Sequence, residues 1–337
     1  MDQPPSMNAR PGTSRRKAIT LSSEALVKES LVRADASLPL VLEPAVDALS
    51  LPEWTSNNHD FIVQKLRTHG AILFRGFNTN SVEEFEQFLR VLVGDLLPYS
   101  YRSTPRSEVS GRIYTSTEYP AHQSIPLHNE MSYTREWPGM LGFFCVEAAS
   151  EGGETPIADS RRVFNLIAPD IRETFISKGV MYVRNYGEAL DLSWQNVFQT
   201  NDRAEVEAYC RKADIEFEWK DKDILRTSQV CQAVANHPHT GEPVWFNQAH
   251  LFHVSSLESP VRDSLLSLAD GEPPRNAYYG DGTSIEESAL EQIREIYTKE
   301  AVVFSWQKHD ILLLDNMLAA HGRRPFRGAR KIVVGMG

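Results

Sequence analysis

Cysteine is scarce in this 337-residue chain: Cys145, Cys210 and Cys231 are the only three, an odd number at wide spacing. That count excludes a disulfide framework and leaves a thiolate zinc site without partners, so reduced thiols packed as small hydrophobes are expected. Basic charge is also short, with 35 Lys and Arg against 45 Asp and Glu for a formal net charge of -10. A nucleic-acid partner needs a basic stripe that tracks phosphates, and such a partner is set aside. No apolar run approaches the roughly 20 residues that a helical membrane span requires. The opening MDQPPSMNARPGTSRRK lacks the apolar h-region of a secretory signal, so a cytoplasmic protein without a membrane partner is expected.

What is present is an ordinary globular composition, 41% hydrophobic and 24% charged, able to bury a sizeable core. Residues 1–20 mix Pro, Ser and Gly with the basic cluster Arg15, Arg16 and Lys17, which predicts a mobile tail. Residues 21–337 carry no repeat or low-complexity linker, which predicts one domain. Ser81 followed by Glu84 is a capping-box signature, and Phe85, Phe88, Leu89 and Leu92 then line one helical face. RRVFNLIAPDIRETFIS predicts a helix capped by Asp159 or Ser160 that Pro169 kinks or splits. Another helix is expected within 201–213. Ser284 with Glu287 predicts one through IEESALEQIREIYTK, with Ile285, Leu290, Ile293 and Ile296 near helical spacing.

Strands are expected in GAILFRGF (70–77), MLGFFCVE (140–147), VMYVRNY (180–186), EPVWFNQ (242–248), AVVFSW (301–306), DILLLDN (310–316) and RKIVVGM (330–336). Each is short, β-branched or aromatic, and bounded by turn residues. Many short strands with a few helices, outside any regular βαβ alternation, predict a mainly β fold: a sandwich or barrel with flanking helices.

IPLHNEMSY (125–133) reads as a strand with Ile125, Leu127 and Met131 on one face and His128 and Glu130 on the other. Residues two apart on a strand point the same way, so an imidazole nitrogen and a carboxylate oxygen come within reach of one metal ion. A lone H-x-E is weak, since a hydrogen-bonded pair is the commoner outcome. A second imidazole, His321, follows the apolar strand in ILLLDNMLAAHGRRPFRGARKIVV. Two histidines and one carboxylate form the facial triad of non-haem Fe(II) oxygenases, which leaves positions open for a cosubstrate and O₂.

Taken in order, GAILFRGF, IPLHNEMSY, EGGETPIADSR, HPHTGEPVWFNQAHLFH and LLLDNMLAAHGRRPFRGARKI resemble the Fe(II)/2-oxoglutarate-dependent dioxygenases of the TauD/TfdA, or clavaminate-synthase-like, superfamily. The resemblance covers roughly residues 60–337. HNE and the DNxxxxHGRxPFxGxRK ending are most similar to the SyrP-like oxygenases that tailor amino acids and nonribosomal peptides. The resemblance implies a double-stranded β-helix, or jelly-roll, core; Fe(II) held by His128, Glu130 and His321; and 2-oxoglutarate and O₂ as cosubstrates. It also implies that the distal carboxylate of 2-oxoglutarate meets Arg330, assisted by Thr155. A guanidinium fork fits the two oxygens of a carboxylate, which Lys cannot do.

Arg330 lies nine residues beyond His321, a shorter interval than in many relatives. Arg323, Arg324 and Arg327 therefore stay open as alternatives, and Arg323 also as a partner for a substrate carboxylate. Glu130 in place of the commoner Asp matches the clavaminate-synthase branch and speaks against a halogenase, in which a small residue replaces the carboxylate. The implied activity is oxidation of an unactivated C–H bond of an amino acid or amino-acid-derived substrate, free or tethered to a peptidyl carrier protein, in secondary metabolism. Hydroxylation is the simplest outcome; desaturation or cyclisation, a jelly-roll metalloenzyme not using 2-oxoglutarate, and a catalytically silent binding module are the alternatives. Oligomeric state is left open.

In the family the WFNQAH stretch borders the active site, so Trp245, Asn247 and Gln248 are candidates to position cosubstrate or substrate, with plain packing as the alternative. RIYTSTEYPAHQS (112–124) is polar, aromatic and loop-like and resembles a substrate lid, in which Glu118 could hold an amino group. Arg102 and Arg106 share that ambiguity with an exposed loop charge. His237, His239, His250 and His253 lie in a turn and a loop without Cys partners, so a zinc role is not expected.

Overall fold

The computed structural model describes residues 23–98, 107–116, 119–187, 192–268 and 273–337. The expected tail at residues 1–20, and Arg102, Arg106 and Glu118, lie outside the described residues. The frame is set by strands that are apolar on both faces, Ala71–Phe74, Met140–Glu147, Ile311–Asp315 and Lys331–Met336. Such strands need cover on two sides. They form the middle of an eight-stranded sheet in the order 27–31, 40–44, 71–74, 311–315, 140–147, 331–336, 113–115, 108–110. Only the pairing of Leu40–Pro44 with Ala71–Phe74 is parallel, so the sheet is mixed.

Alternation along these strands divides the core in two. Ile72, Phe74, Phe144, Ile311, Leu313 and Val333 pack against a helical layer through Trp54, Ile62, Leu66, Phe85, Phe88 and Leu89. Leu73, Phe143, Cys145, Leu312, Leu314, Ile332 and Val334 face the other way, toward Ile157 and Ala319. Those last two belong to a second, three-stranded antiparallel sheet in the order Ile125–His128, Ala319–Arg323, Ile157–Asp159. Two facing sheets dressed with ten α-helices among the described residues make the expected mainly β, jelly-roll core with flanking helices. A further four-stranded antiparallel sheet, in the order 216–220, 224–231, 180–186, 275–279, builds its own cluster with the helices around 160–178 and 287–300.

Local chemistry explains most helix ends. Ser81 Oγ accepts the N–H of Glu84 at 3.2 Å, while the Glu84 carboxylate accepts from Asn80 rather than Ser81. Asp159 caps Ser160–Leu166 by accepting from the Arg161 N–H at 2.9 Å, and Pro169 opens a separate helix, Pro169–Lys178. The third expected helix spans Arg203–Lys212. The fourth begins later than its capping signature: it spans Glu287–Glu300 with Glu286 as the cap position, and Ser284 takes no part.

Two expected strands are shorter. EPVWFNQ pairs only over Pro243–Trp245 because Asn247 turns the chain into a short helix at Ala249. AVVFSW is not a strand; Val302 bridges Ile157 and the rest packs Phe304 and Trp306 into the core without a ladder. All three cysteines are buried and free, and burial pushes the Cys145 and Cys231 thiols up to about 12 and Cys210 to about 11. No helix among the described residues is long and apolar enough to cross a membrane.

Candidate metal centre

His128 ends the strand Ile125–His128, and His321 lies in the middle of Ala319–Arg323, directly opposite it in the antiparallel register. Gly322 permits this close pairing, because a Cβ there would stand 2.5 Å from the Ile125 carbonyl oxygen. Ligand atoms of His128, Glu130 and His321 all lie within 4.8 Å of one another, the one such group of three or more His, Cys, Asp or Glu among the described residues. His321 Nε2 stands 3.9 Å from Glu130 Oε2. His128 Nδ1 lies 2.9 Å from the Pro126 carbonyl oxygen. A carbonyl only accepts, so Nδ1 carries the proton and Nε2 presents its lone pair to the centre.

Glu130 reaches the group by a route that alternation along a strand does not describe. The strand stops at His128, and Glu130 lies in the following turn, where Met131 adopts φ +56°. The turn is held by Asn316. Its Oδ1 accepts the Glu130 N–H at 2.8 Å, and its Nδ2 donates to the Glu130 and Pro138 carbonyl oxygens, each at 2.9 Å. The expected single strand through 125–133 is thus corrected: the chain bends, and a side chain 186 positions away replaces the missing ladder.

One pocket is lined by His128 and His321 together with Phe143, Ile332, Thr155 and Arg330. Arg330 immediately precedes the strand Lys331–Met336, its Nε donating to the Gly153 carbonyl at 2.9 Å and its Nη1 to Ser116 Oγ at 3.4 Å. No Asp or Glu of the described residues comes within ion-pair distance of it. Burial pushes its pKa down to about 10, and the neighbouring Arg323 charge pushes the same way. The Glu154 charge acts in the opposite direction without forming an ion pair, so the guanidinium keeps capacity for a further carboxylate. Thr155 Oγ1 accepts the indole N–H of Trp306 at 3.1 Å, which leaves its own hydroxyl hydrogen for a second partner. The EGGET turn makes room: Gly153 has φ +74°, and a Cβ there would stand 2.9 Å from Arg330 Cδ.

Other candidates are placed elsewhere. Arg324 and Arg327 are exposed, with Arg327 facing Glu151 at 3.4 Å. Arg323 also lines the pocket, yet its terminal nitrogens donate to the carbonyls of Tyr119, Pro120 and Gln123 at 2.7–3.0 Å, so it anchors the segment before the Ile125–His128 strand. Trp245, Asn247 and Gln248 are buried and do not line this pocket. Trp245 is fully buried against Phe175, Asn247 donates to the Ala233 carbonyl and caps Ala249, and Gln248 Nε2 donates to the Asn129 carbonyl at 2.8 Å. His237 bonds Asp315, His250 bonds the Leu127 carbonyl and His253 bonds Ser255. Sequence reasoning gave no role to Asn316, although it stands in the DN pair ahead of His321; nothing local distinguishes it from any strand-end asparagine.

The family described as Taurine catabolism dioxygenase TauD, TfdA family matches residues 36–336. The dapdiamide synthesis protein DdaC of Enterobacter agglomerans is 43% identical over 307 residues, 91% of this chain and 92% of that protein. A clavaminate synthase-like protein of Arabidopsis thaliana is 30% identical over 316 residues, covering 88% of this chain and 93% of its own. Among solved structures, PvcB of Pseudomonas aeruginosa, an Fe, alpha-ketoglutarate dependent oxygenase from an isonitrile synthetic pathway, superposes with a TM-score of 0.56 at 16% identity over 96% of this chain and 94% of that one. AAD-2, solved with Mn(II) and N-oxalylglycine, gives a TM-score of 0.51 at 14% identity over 92% and 96%. At such identities these two speak for the fold alone. The family match across nearly the whole described length and the two sequence relatives place the chain in the TauD, TfdA family of dioxygenases.

Proposed function

We propose that the protein is an Fe(II)- and 2-oxoglutarate-dependent oxygenase that hydroxylates an unactivated C–H bond of an amino acid or amino-acid-derived substrate, free or carried on a peptidyl carrier protein. One observation carries the reading: His128 and His321, which cluster with the Glu130 carboxylate, line one pocket together with a largely desolvated Arg330 that forms no ion pair. The donor set suits iron(II), since two imidazoles and one carboxylate occupy one face of an octahedron and leave the rest open. His128, Glu130 and His321 would hold the metal; Arg330 and Thr155 would hold the distal carboxylate of 2-oxoglutarate. When bound, iron and 2-oxoglutarate supply the oxidising power that directs O₂ at a C–H bond, with succinate and CO₂ as co-products.

The chain's own part is to bind, orient and exclude. The Pro126 carbonyl keeps the proton on His128 Nδ1, so Nε2 stays a donor of electrons rather than of a proton. Arg330 selects a ligand with a carboxylate and so sets which end of a dicarboxylate is left for the histidines. Phe143, Ile125 and Ile332 give the walls an apolar surface that keeps bulk water off the reacting groups. In this reading residues 21–337 work as one jelly-roll domain. The amino-acid assignment is supported by HNE and the DNxxxxHGRxPFxGxRK ending, and a biosynthetic setting by the relative named for dapdiamide synthesis.

Anaerobic addition of Fe(II) and 2-oxoglutarate should produce the weak visible charge-transfer band of the chelate, and admission of O₂ should release succinate even without substrate. Absence of both from folded wild type would overturn the cofactor assignment. Mass spectrometry of candidate amino acids, free and carrier-bound, should then find a gain of one oxygen. A loss of two hydrogens would replace hydroxylation by desaturation or cyclisation, and activity confined to a sulfonate would overturn the amino-acid reading.

A further inference from the structure

We infer that Asn316 is the positioning residue for the metal-binding carboxylate: its side-chain amide pairs with both the N–H and the C=O of Glu130 and so sets the point from which that carboxylate leaves the backbone. The inference rests on the triad reading above. His128 and His321 are located by a strand pairing, and Glu130, beyond the end of its strand, has no ladder to locate it. A side chain with three rotatable bonds reaches a fixed point only from a fixed backbone origin, and ordering it has an entropic cost.

Asn316 fixes that origin. It is fully buried, and all three of its side-chain hydrogen bonds, at 2.8, 2.9 and 2.9 Å, go to the 130–138 stretch. The amide has one acceptor and two donors in fixed orientation, matched here to one N–H and two carbonyls. Asp would turn an acceptor toward the carbonyls of Glu130 and Pro138, and Ala would remove all three of these hydrogen bonds.

The backbone of Asn316 is fixed in turn. Its N–H donates to the Gly139 carbonyl at 2.9 Å, and its carbonyl accepts from Asn129 Nδ2 at 2.6 Å. Asn129 Nδ2 also donates to Ser160 Oγ at 3.1 Å. Asp315 Oδ1 accepts the N–H groups of Met317 and Leu318, closing the turn that leads into the His321 strand. One short turn therefore locates two of the three ligands: His321 by continuation of the chain, and Glu130 by the Asn316 amide.

Co(II) titration of metal-free protein, followed by its visible absorption, tests the assignment without turnover. Asn316→Asp and Asn316→Ala should remain folded by circular dichroism and bind Co(II) roughly 10- to 100-fold more weakly, the range seen when a group that orients a metal ligand is lost. Asn58→Ala serves as the comparison. Asn58 is also a buried asparagine with two side-chain hydrogen bonds, to Ser23 and Trp54 in the helical layer, and its loss should leave Co(II) affinity unchanged. Wild-type affinity in a folded Asn316 variant, or equal weakening in Asn58→Ala, would overturn the assignment alone. So would Asn316 variants that fail to fold while Asn58→Ala folds, since the residue would then belong to the fold and not to the centre. A wild-type Co(II) spectrum indifferent to His128→Ala would overturn the triad reading itself, and the assignment with it.

Discussion

His128 and His321 are direct partners across two antiparallel strands, their ring centroids 4.5 Å apart. The candidate metal centre is therefore a consequence of strand register. Side chains alternate faces along a strand, so a slip of one residue would turn one imidazole away from the other. The first consequence is that the two histidines are needed together. His321→Ala should lose both Co(II) binding and succinate formation to background while keeping the wild-type far-ultraviolet circular dichroism. Retention of either signal in a folded variant would remove His321 from the centre.

Arg330 should govern affinity for the cosubstrate rather than the chemical step. A hydrogen bond to a charged group contributes about 1.5–3 kcal/mol, so Arg330→Ala should raise the KM for 2-oxoglutarate by roughly 10- to 150-fold. Arg330→Lys should recover only part of this, because an ammonium keeps the charge and loses the fork. Steady-state kinetics with 2-oxoglutarate varied would check it; an unchanged KM in both variants would move the receptor to another arginine.

Gly153→Ala should act on the same parameter from outside the pocket. The backbone there has φ +74°, and the new methyl would approach Arg330 Cδ to 2.9 Å and Nε to 3.0 Å. Left-handed backbone costs a non-glycine residue about 1–2 kcal/mol, and Arg330 would have to shift. Lower stability in urea denaturation with a raised KM for 2-oxoglutarate is expected. Lower stability with an unchanged KM would mean that Arg330 tolerates the displacement.

His250 predicts a pH dependence of stability. Burial pushes its pKa down to about 3, against the opposing pull of its hydrogen bond to the Leu127 carbonyl. In the unfolded chain an imidazole titrates near 6.5, so the unfolded state takes up the proton first as pH falls. The contribution of this buried neutral ring is fully present above about pH 6.5 and declines below it, at about 1.4 kcal/mol per unit, until about pH 3. Between pH 7 and pH 5 the metal-free wild type should lose about 2 kcal/mol more than His250→Gln, read by urea denaturation at both values. Parallel losses in the two proteins would contradict a neutral buried His250.

Much of the fold was legible because burial imposes a period. Phe85, Phe88, Leu89 and Leu92 recur at helical spacing, and all four are buried. The doubly apolar runs 140–147 and 311–315 pair as neighbouring strands. AVVFSW has the same composition, but whether an extended segment joins a ladder depends on a neighbour at the right distance, and only Val302 finds one. The choice among four arginines after His321 was equally closed to local reasoning. Arg330 differs from Arg324 and Arg327 in being desolvated, and from Arg323 in lacking the three loop carbonyls that Arg323 holds.

By itself, the order of amino acids determined which side chains with metal-binding chemistry stand beside apolar strands: His128, Glu130 and His321 can be named without coordinates. The tertiary structure alone decided how they meet. Two are joined by a strand register spanning 193 positions, from His128 to His321, and the third by a turn whose peptide is held by Asn316 from 186 positions away. Periodicity records which face of a segment is buried, a local property. Hydrogen bonds between distant segments depend on distances that exist only after the chain has folded.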